Sequence, residues 1–344
     1  MKVRIAVGIV ISLVFIYLAF HEVNFQKMLA VIKDARYEWL FPAIVAMLLS
    51  HWLRAMRWQY LMEPVKEIKV HPLFSALMIG YAANNIFPLR LGEFLRAFAI
   101  AKSQRVSKTS SFATVIVDRL LDILSLLLVM AVTIFLFPLP ENIKRGAYVI
   151  SAGTIGVIVF IVFLMEKTDA TLTLLSRVLP KKVYAVVQRI TRSFLQGFMV
   201  FKKSEHYLRV ISLSVGVWLL YAVVVYISFF IFDFNTTYSL DFHAALVVLV
   251  IISIGLMIPS SPGFVGTYHW FCIMSLSLVA APTIPKNDAI SFAVITHAMN
   301  TIPVTIVGLS YFWKENLHFS DAVSEKEAVE HASEDDSLPD TLSD

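Results

Sequence analysis

The chain has 344 residues, 58% of them hydrophobic and only 16% charged, with a mean hydropathy of +0.73. Soluble domains carry about 25% charged residues, so the composition excludes an ordinary soluble protein and reads as an integral membrane protein. The formal net charge of +4 conceals an asymmetry: residues 315–344 hold ten acids and one base, Lys326, which leaves the body strongly basic.

A helix needs about 20 apolar residues to cross roughly 30 Å of hydrocarbon. Residues 1–20 begin with Lys2 and Arg4 and continue apolar from Ile5 to Phe20. No small-x-small cleavage site follows, so they read as an uncleaved first helix. The candidate spans in chain order are 4–20, 39–61, 111–137, 147–165, 210–232 and 289–313. Two more apolar regions, 73–100 and 243–281, are interrupted near their middles.

Basic loops favour the cytoplasm, and this rule arbitrates. With Lys2 and Arg4 inside, loop 54–72 is inside with Arg54, Arg57, Lys66 and Lys69. Lys102, Arg105 and Lys108 also belong inside, so 73–100 must enter and leave on one side. Segment 166–209 is inside with nine bases, and loop 233–242, with none, is outside. Lys144 and Arg145, and the mixed first loop 21–38, are exceptions. The expected fold is an all-α polytopic membrane protein of about six transmembrane helices and two re-entrant hairpins. Both termini are cytoplasmic. Membrane domain 1–314 contains two repeat units of opposite orientation, about 39–137 and 210–313. Within 166–209, Val183, Val186, Val187, Ile190, Phe194, Phe198 and Phe201 recur every three or four residues. That pattern suits an amphipathic helix on anionic lipid or against the bundle. The tail, 315–344, lacks the apolar content to fold and reads as disordered.

Short matches support the repeat. "IFPLRLGEF" has Pro88 four residues before Gly92, and "MIPSSPGFV" has Pro259 four residues before Gly263. "SFATVI" (111–116) and "SFAVIT" (291–296) open the following spans. Paired Pro/Gly-interrupted segments point to a transporter's central site; the alternative is two ordinary kinked helices. Hairpin turns are expected at Asn85, Pro88, Gly92, Pro259, Pro262, Gly263 and Gly266.

Half-helices starting at such turns present unpaired N–H groups that attract anions. Arg90 and Arg96 add cationic donors, and Glu93 is spaced to pair with Arg96. In "VIVDRLLDILSLLL", Asp118 and Asp122 share a helix face, with Arg119 beside them. Charges at that depth need partners, and Arg90 or Arg96 for the aspartates and Glu93 for Arg119 are the expected ones. Two carboxylates also suit a metal or glycosidase pair, but no catalytic motif or His-x-x-x-His accompanies them. Tyr268, His269, His297 and Asn300 are candidate polar contacts from the second half, His297 reading foremost as a hydrogen-bonded core histidine. Cys272 is the single cysteine, so no internal disulfide forms.

"NNIFPLRLGEFLRA", "VIVDRLLDIL" and "IPSSPGFVGTYHW" together resemble the lysylphosphatidylglycerol synthase transmembrane family, also called the flippase-like domain family. It includes the membrane half of the multiple peptide resistance factor. The resemblance covers about residues 1–315. It implies a bacterial or archaeal cytoplasmic membrane protein that moves a phosphate-bearing lipid between leaflets, an aminoacyl-phospholipid, a polyprenyl-phosphate-sugar or a similar lipid; other members are linked to hopanoid pathways. Pro88, Arg90, Gly92, Glu93 and Arg96 match the first motif. Asp118, Arg119 and Asp122 match the second, and Pro259, Pro262, Gly263 and Gly266 the third. His269 stands where many relatives carry an acid, so a proton-coupling role at that position does not carry over from the resemblance. The family's soluble aminoacyl-transferase domain is not expected, nor are a cofactor, a metal or nucleic acid. Anionic membrane lipids and a partner enzyme of lipid or glycan biosynthesis are the expected partners. Two other readings remain: an intramembrane transferase using Glu93 or Asp118 as base, and a non-transporting accessory subunit.

Overall fold

The computed structural model describes residues 2–136 except 88–90, residues 204–317 except 259–260, 281 and 316, and scattered residues between 145 and 188. The expected span 147–165, the amphipathic segment 166–209 and the tail beyond 317 lie largely outside the described residues. So do Pro88, Arg90 and Pro259.

Among the described residues all regular structure is helical. In chain order the helices are α1 (Lys2–Phe20), α2 (Phe25–Lys33), α3 (Leu40–Met62), α4 (Val70–Ile86), α5 (Gly92–Gln104) and α6 (Lys108–Leu136). Then come α7 (Ser204–Ile231), the one-turn α8 (Phe234–Thr237), α9 (Phe242–Gly255), α10 (Thr267–Val279) and α11 (Lys286–Lys314). Among the described residues four stretches are long and apolar enough to cross a membrane: Tyr37–Met62, Lys108–Leu136, His206–Ile231 and Lys286–Lys314. The pair Gly8–Phe20 and Phe25–Lys33, bent by 80°, makes a fifth if it is one span. The protein is a polytopic, all-α membrane protein.

The two interrupted regions are helical hairpins. Burying a hairpin between spans requires its arms to approach closely, and glycine permits this. A Cβ on Gly92 would lie 1.9 Å from the Gly80 carbonyl oxygen, so α4 and α5 touch backbone to backbone there. At the other end of this hairpin Lys66 Nζ donates to the Gln104 carbonyl at 2.8 Å. The chain therefore enters and leaves on one side. In the second hairpin Gly255 of α9 sits against the Phe271 ring of α10. Its ends also converge: Tyr238, just before α9, donates to Asp288, in the first turn of α11, at 2.5 Å.

These bases lie at opposite ends of the molecule. Helix α11 begins beside the second base and ends beside the first, where Tyr311 meets His71 at 3.2 Å and Ser75 donates to Glu315. Its 29 residues span about 43 Å at 1.5 Å per residue, more than the hydrocarbon core. Helices α3 and α7 run antiparallel, with Glu63 near His206 (3.1 Å) at one end and Arg36 bonded to Asp233 (2.9 Å) at the other.

The packing pairs map onto themselves when the halves are exchanged. Helix α4 packs on α5 and α11, α9 packs on α10 and α6, and α3 packs on α7. One apolar core surrounds the first hairpin and a second surrounds the other. Helix α1 joins the second hairpin, with Ser12 accepting from the Ser261 amide at 2.7 Å.

Candidate functional site

The hairpin tips meet. Gly263 adopts a left-handed φ of 64°, in the region glycine favours, and a Cβ there would lie 3.3 Å from the Asn85 carbonyl oxygen. Asn85, in the last turn of α4 rather than in a turn, donates to Thr305 Oγ1 (2.9 Å) and the Thr301 carbonyl (3.3 Å) on α11. His297 Nε2 donates to the Gly263 carbonyl at 2.7 Å. The preceding residue of the first hairpin, Asn84, accepts from the Gly92 amide at 2.8 Å and so caps the start of α5. That satisfies one of the orphan donors of a helix N-terminus.

Beside the tips lies a cluster of charges contributed by three helices. Asp118 of α6 accepts from Arg57 at 2.6 and 3.0 Å and from Arg96 at 2.8 Å. Asp122, one turn on, accepts from Arg57 at 2.7 Å and pairs with Arg54. Arg57 also donates to Ser214 at 3.1 Å, and Arg54 to the Tyr221 hydroxyl at 2.9 Å, both on α7. Arg119 bonds Glu93 at 2.8 Å and approaches Asp122 at 3.5 Å. Arg96 stacks on Trp58, its guanidinium carbon 3.7 Å from the ring centroid, which adds a cation–π contact. Glu93 and Arg96, spaced to pair with each other, turn to Arg119 and Asp118, because α6 offers closer opposite charges.

Burial divides the cluster in two. The Arg57, Asp118 and Arg96 side chains are 0%, 0% and 2% exposed; Asp122, Glu93 and Arg119 are 14%, 19% and 33% exposed. The first three lock α3, α5 and α6 together. The second three, with Arg54, form one wall of a cavity of about 610 Å³. This chamber adjoins another of about 290 Å³ at the hairpin tips, and the two share Arg54, Tyr81, Asn85 and Tyr221. The volumes bracket the lower range of ligand cavities, about 300–1,000 Å³.

The other expected residues fall around the smaller chamber. Tyr268 and His297 line it, as do Asn300 and Gly263. Tyr268 donates to Thr296 at 3.0 Å, and Asn300 donates to the Thr296 carbonyl at 2.8 Å. His269 is buried, takes the Gly266 amide at 3.4 Å and lies 4.9 Å from the His297 ring. Gly266 opens α10 with φ 87° and packs on α1. Pro262 starts the one-turn helix Pro262–Phe264 at the second tip. Among the described residues no three His, Cys, Asp or Glu side chains gather as metal ligands would.

Sequence comparison fits this arrangement. The profile described as the transmembrane region of lysylphosphatidylglycerol synthase matches residues 5–308. The chain belongs to that family. It is similar to a UPF0104 membrane protein of Methanothermobacter thermautotrophicus, 28% identical over 283 residues, 75% of this chain and 82% of that one. A UPF0104 membrane protein of Methanocaldococcus jannaschii matches at 26% over 128 residues, 36% of this chain and 38% of its own length. The glycosyltransferase AglD of Haloferax volcanii matches at 21% over 364 residues, 95% of this chain but only 57% of AglD. No solved structure matches.

In this family member, loop counting missed Arg54 and Arg57. Assigned to loop 54–72, they lie inside α3 and hold both aspartates. Their spacing was the available signal: three apart in "HWLRAMRW", they share a helix face next to apolar sequence. His51, Tyr81 and Tyr221 had no such signal, since each acts through contacts between helices distant in the chain.

Proposed function

We propose that the protein carries a phosphate-bearing lipid headgroup across the cytoplasmic membrane, through the space between the hairpin tips. The carrying observation is the pair of joined chambers where the two tips meet, one walled by Arg54, Arg119, Glu93 and Asp122. Ionised side chains at this depth mark pathways or pairs, and here they do both. Among the described residues the cluster holds four arginines and three carboxylates, so one positive charge is in excess. A phosphate would neutralise it. Arg54 and Arg119 meet the phosphate, and Glu93 and Asp122 balance them in its absence.

The two halves act as an inverted repeat, each lending one hairpin tip to a central site. The basic end, with Lys66 and Lys102, faces the cytoplasm. The relatives' names, a lipid synthase region and a glycosyltransferase, suggest a headgroup made by a partner enzyme. The transferase reading requires a free base, and Glu93 is engaged by Arg119 at 2.8 Å.

The test uses purified protein in vesicles and fluorescent anionic lipids. Arg119→Ala and Glu93→Gln should each slow leaflet exchange about tenfold or more. Because the two groups are partly exposed, each substitution should cost at most about 1 kcal/mol of stability. Exchange that survives both substitutions at full rate rules the reading out. New covalent lipid product from the protein alone would move it to the transferase class.

A further inference from the structure

The smaller chamber differs chemically from the larger. Among the described residues no acid lines it, and its one charge is Arg54 at the junction. That guanidinium is already held by Asp122 and the Tyr221 hydroxyl. The other polar groups that line it are neutral, among them His51, Tyr81, Tyr268, His297 and Asn300. Two of these groups are orphans. His51 Nδ1 and the Tyr81 hydroxyl are buried with no hydrogen-bond partner among the described residues. Their rings lie 4.8 Å apart, and the Tyr221 ring lies 6.3 Å from His51. Buried polar groups in folded proteins are almost always paired, so two neighbouring orphans on one cavity wall call for a partner from outside the chain.

We infer that this chamber is a subsite for an uncharged, hydroxyl-bearing part of the headgroup, a glycosyl or polyol unit carried next to the phosphate. The inference rests on the transport reading and narrows its substrate. A sugar hydroxyl can donate to His51 Nδ1 while another accepts from the Tyr81 hydroxyl. The aromatic faces of Tyr81, Tyr221 and Tyr268 offer flat apolar surface to the C–H side of a ring. An aminoacyl ammonium finds the opposite: no carboxylate in the chamber, and Arg54 at its mouth. Burying such a charge unpaired is strongly unfavourable. A bare phosphate would leave both orphans unmet. Arg54, shared by both chambers, stands where the phosphate of a glycosyl phosphate would bridge them.

Two assays separate this subsite from transport itself. In vesicles carrying the full chain, three labelled lipids are compared: a polyprenyl phosphate monosaccharide, the same polyprenyl phosphate without sugar, and lysyl-phosphatidylglycerol. The glycosylated lipid should move fastest. Tyr81→Phe, which removes a single oxygen, should slow it about tenfold more than the sugar-free lipid, the scale of one lost hydrogen bond. Separately, soluble glucose 1-phosphate should raise the melting temperature of the purified protein, and do so less in Tyr81→Phe. Inorganic phosphate and lysine should raise it less in the wild type. If the lysyl lipid moves as fast as the glycosylated one and Tyr81→Phe slows all lipids equally, the subsite is wrong and transport stands. If glucose 1-phosphate protects selectively but no lipid moves, the subsite stands and transport is wrong. No selective protection and no discrimination overturn the subsite outright.

Discussion

Asp118→Asn distinguishes the buried lock from the cavity wall. The substitution keeps the side chain's shape and removes one charge. In the wild-type protein the Asp118 carboxylate holds Arg57 at 2.6 and 3.0 Å and Arg96 at 2.8 Å, with Arg54 at 3.9 Å. After substitution Arg57 keeps Asp122 and Ser214, but Arg96 loses its one carboxylate partner among the described residues. Two unit charges 4 Å apart attract by about 4 kcal/mol at an effective dielectric of about 20. Removing one member of a buried pair costs about 3–5 kcal/mol. With Arg96 orphaned and Arg57 half-compensated, the expected loss is about 4 kcal/mol. For a chain of this length that corresponds to a melting temperature lower by about 5–10 °C. Thermal unfolding in detergent, followed by tryptophan fluorescence, reads it, because Trp58 stacks on Arg96. Glu93→Gln, measured alongside, should shift the midpoint by no more than about 2 °C. Adding Arg96→Gln to Asp118→Asn should recover part of the loss, a coupling of about 0.5–3 kcal/mol. Equal midpoints for Asp118→Asn and Glu93→Gln would refute the division into lock and wall.

Three further outcomes follow from the geometry. Gly92→Ala places a Cβ 1.9 Å from the Gly80 carbonyl oxygen and 2.6 Å from the Asn84 side chain. Overpacking of this kind costs about 1–3 kcal/mol or more, so folded yield should collapse, whereas Gly153→Ala, with nothing within 4 Å among the described residues, should match wild type; equal yields would contradict the hairpin contact. Burial holds the Glu315 carboxyl above its ordinary value despite the Ser75 hydroxyl and His71 beside it. A raised acid favours the fold while protonated, so this contribution is present below about pH 4.5 and lost as pH rises through the folded value. Glu315→Gln should therefore be more stable than wild type at pH 7 and equal to it at pH 4, which melting curves at the two pH values check. Cysteines replacing Lys102 and Thr283 should label from opposite faces of a sealed vesicle with little background, since Cys272 is buried; labelling of both from one face would contradict opposed hairpins.

Much of the fold was legible because membranes constrain chains severely. Apolar length located the long helices, and the bases at Lys102, Arg105 and Lys108 required residues 73–100 to double back, as α4 and α5 do. The pairing of Arg119 with Glu93 and of Asp118 with Arg96 followed from charges that must find partners at depth. What escaped was register between helices. Arg54 and Arg57 lie in the second half of α3, buried well inside its end at Met62, and loop counting placed them beyond that end. The neutral chamber was legible from one half alone. Tyr268, His297 and Asn300 were candidate contacts from the second half, but His51 and Tyr81 come from α3 and α4, and nothing local marks either as facing them.

The lock and the wall share one helix, and this explains why the lock is ionic. Leucines at positions 57, 96 and 118 would also hold α3, α5 and α6 together, and a hydrophobic trio is often the more stable choice. Leucines, however, tolerate rotation of α6 about its axis. A carboxylate held at 2.6–3.0 Å by arginines from two other helices does not. Asp122 lies one turn beyond Asp118 on the same face, so fixing Asp118 sets where Asp122 points, and Arg57 grips both. Arg119, between them, is then turned toward Glu93 and the cavity. The buried charges thus act through geometry: they set the rotation at which α6 presents Asp122 and Arg119 to the cavity beside the hairpin tips.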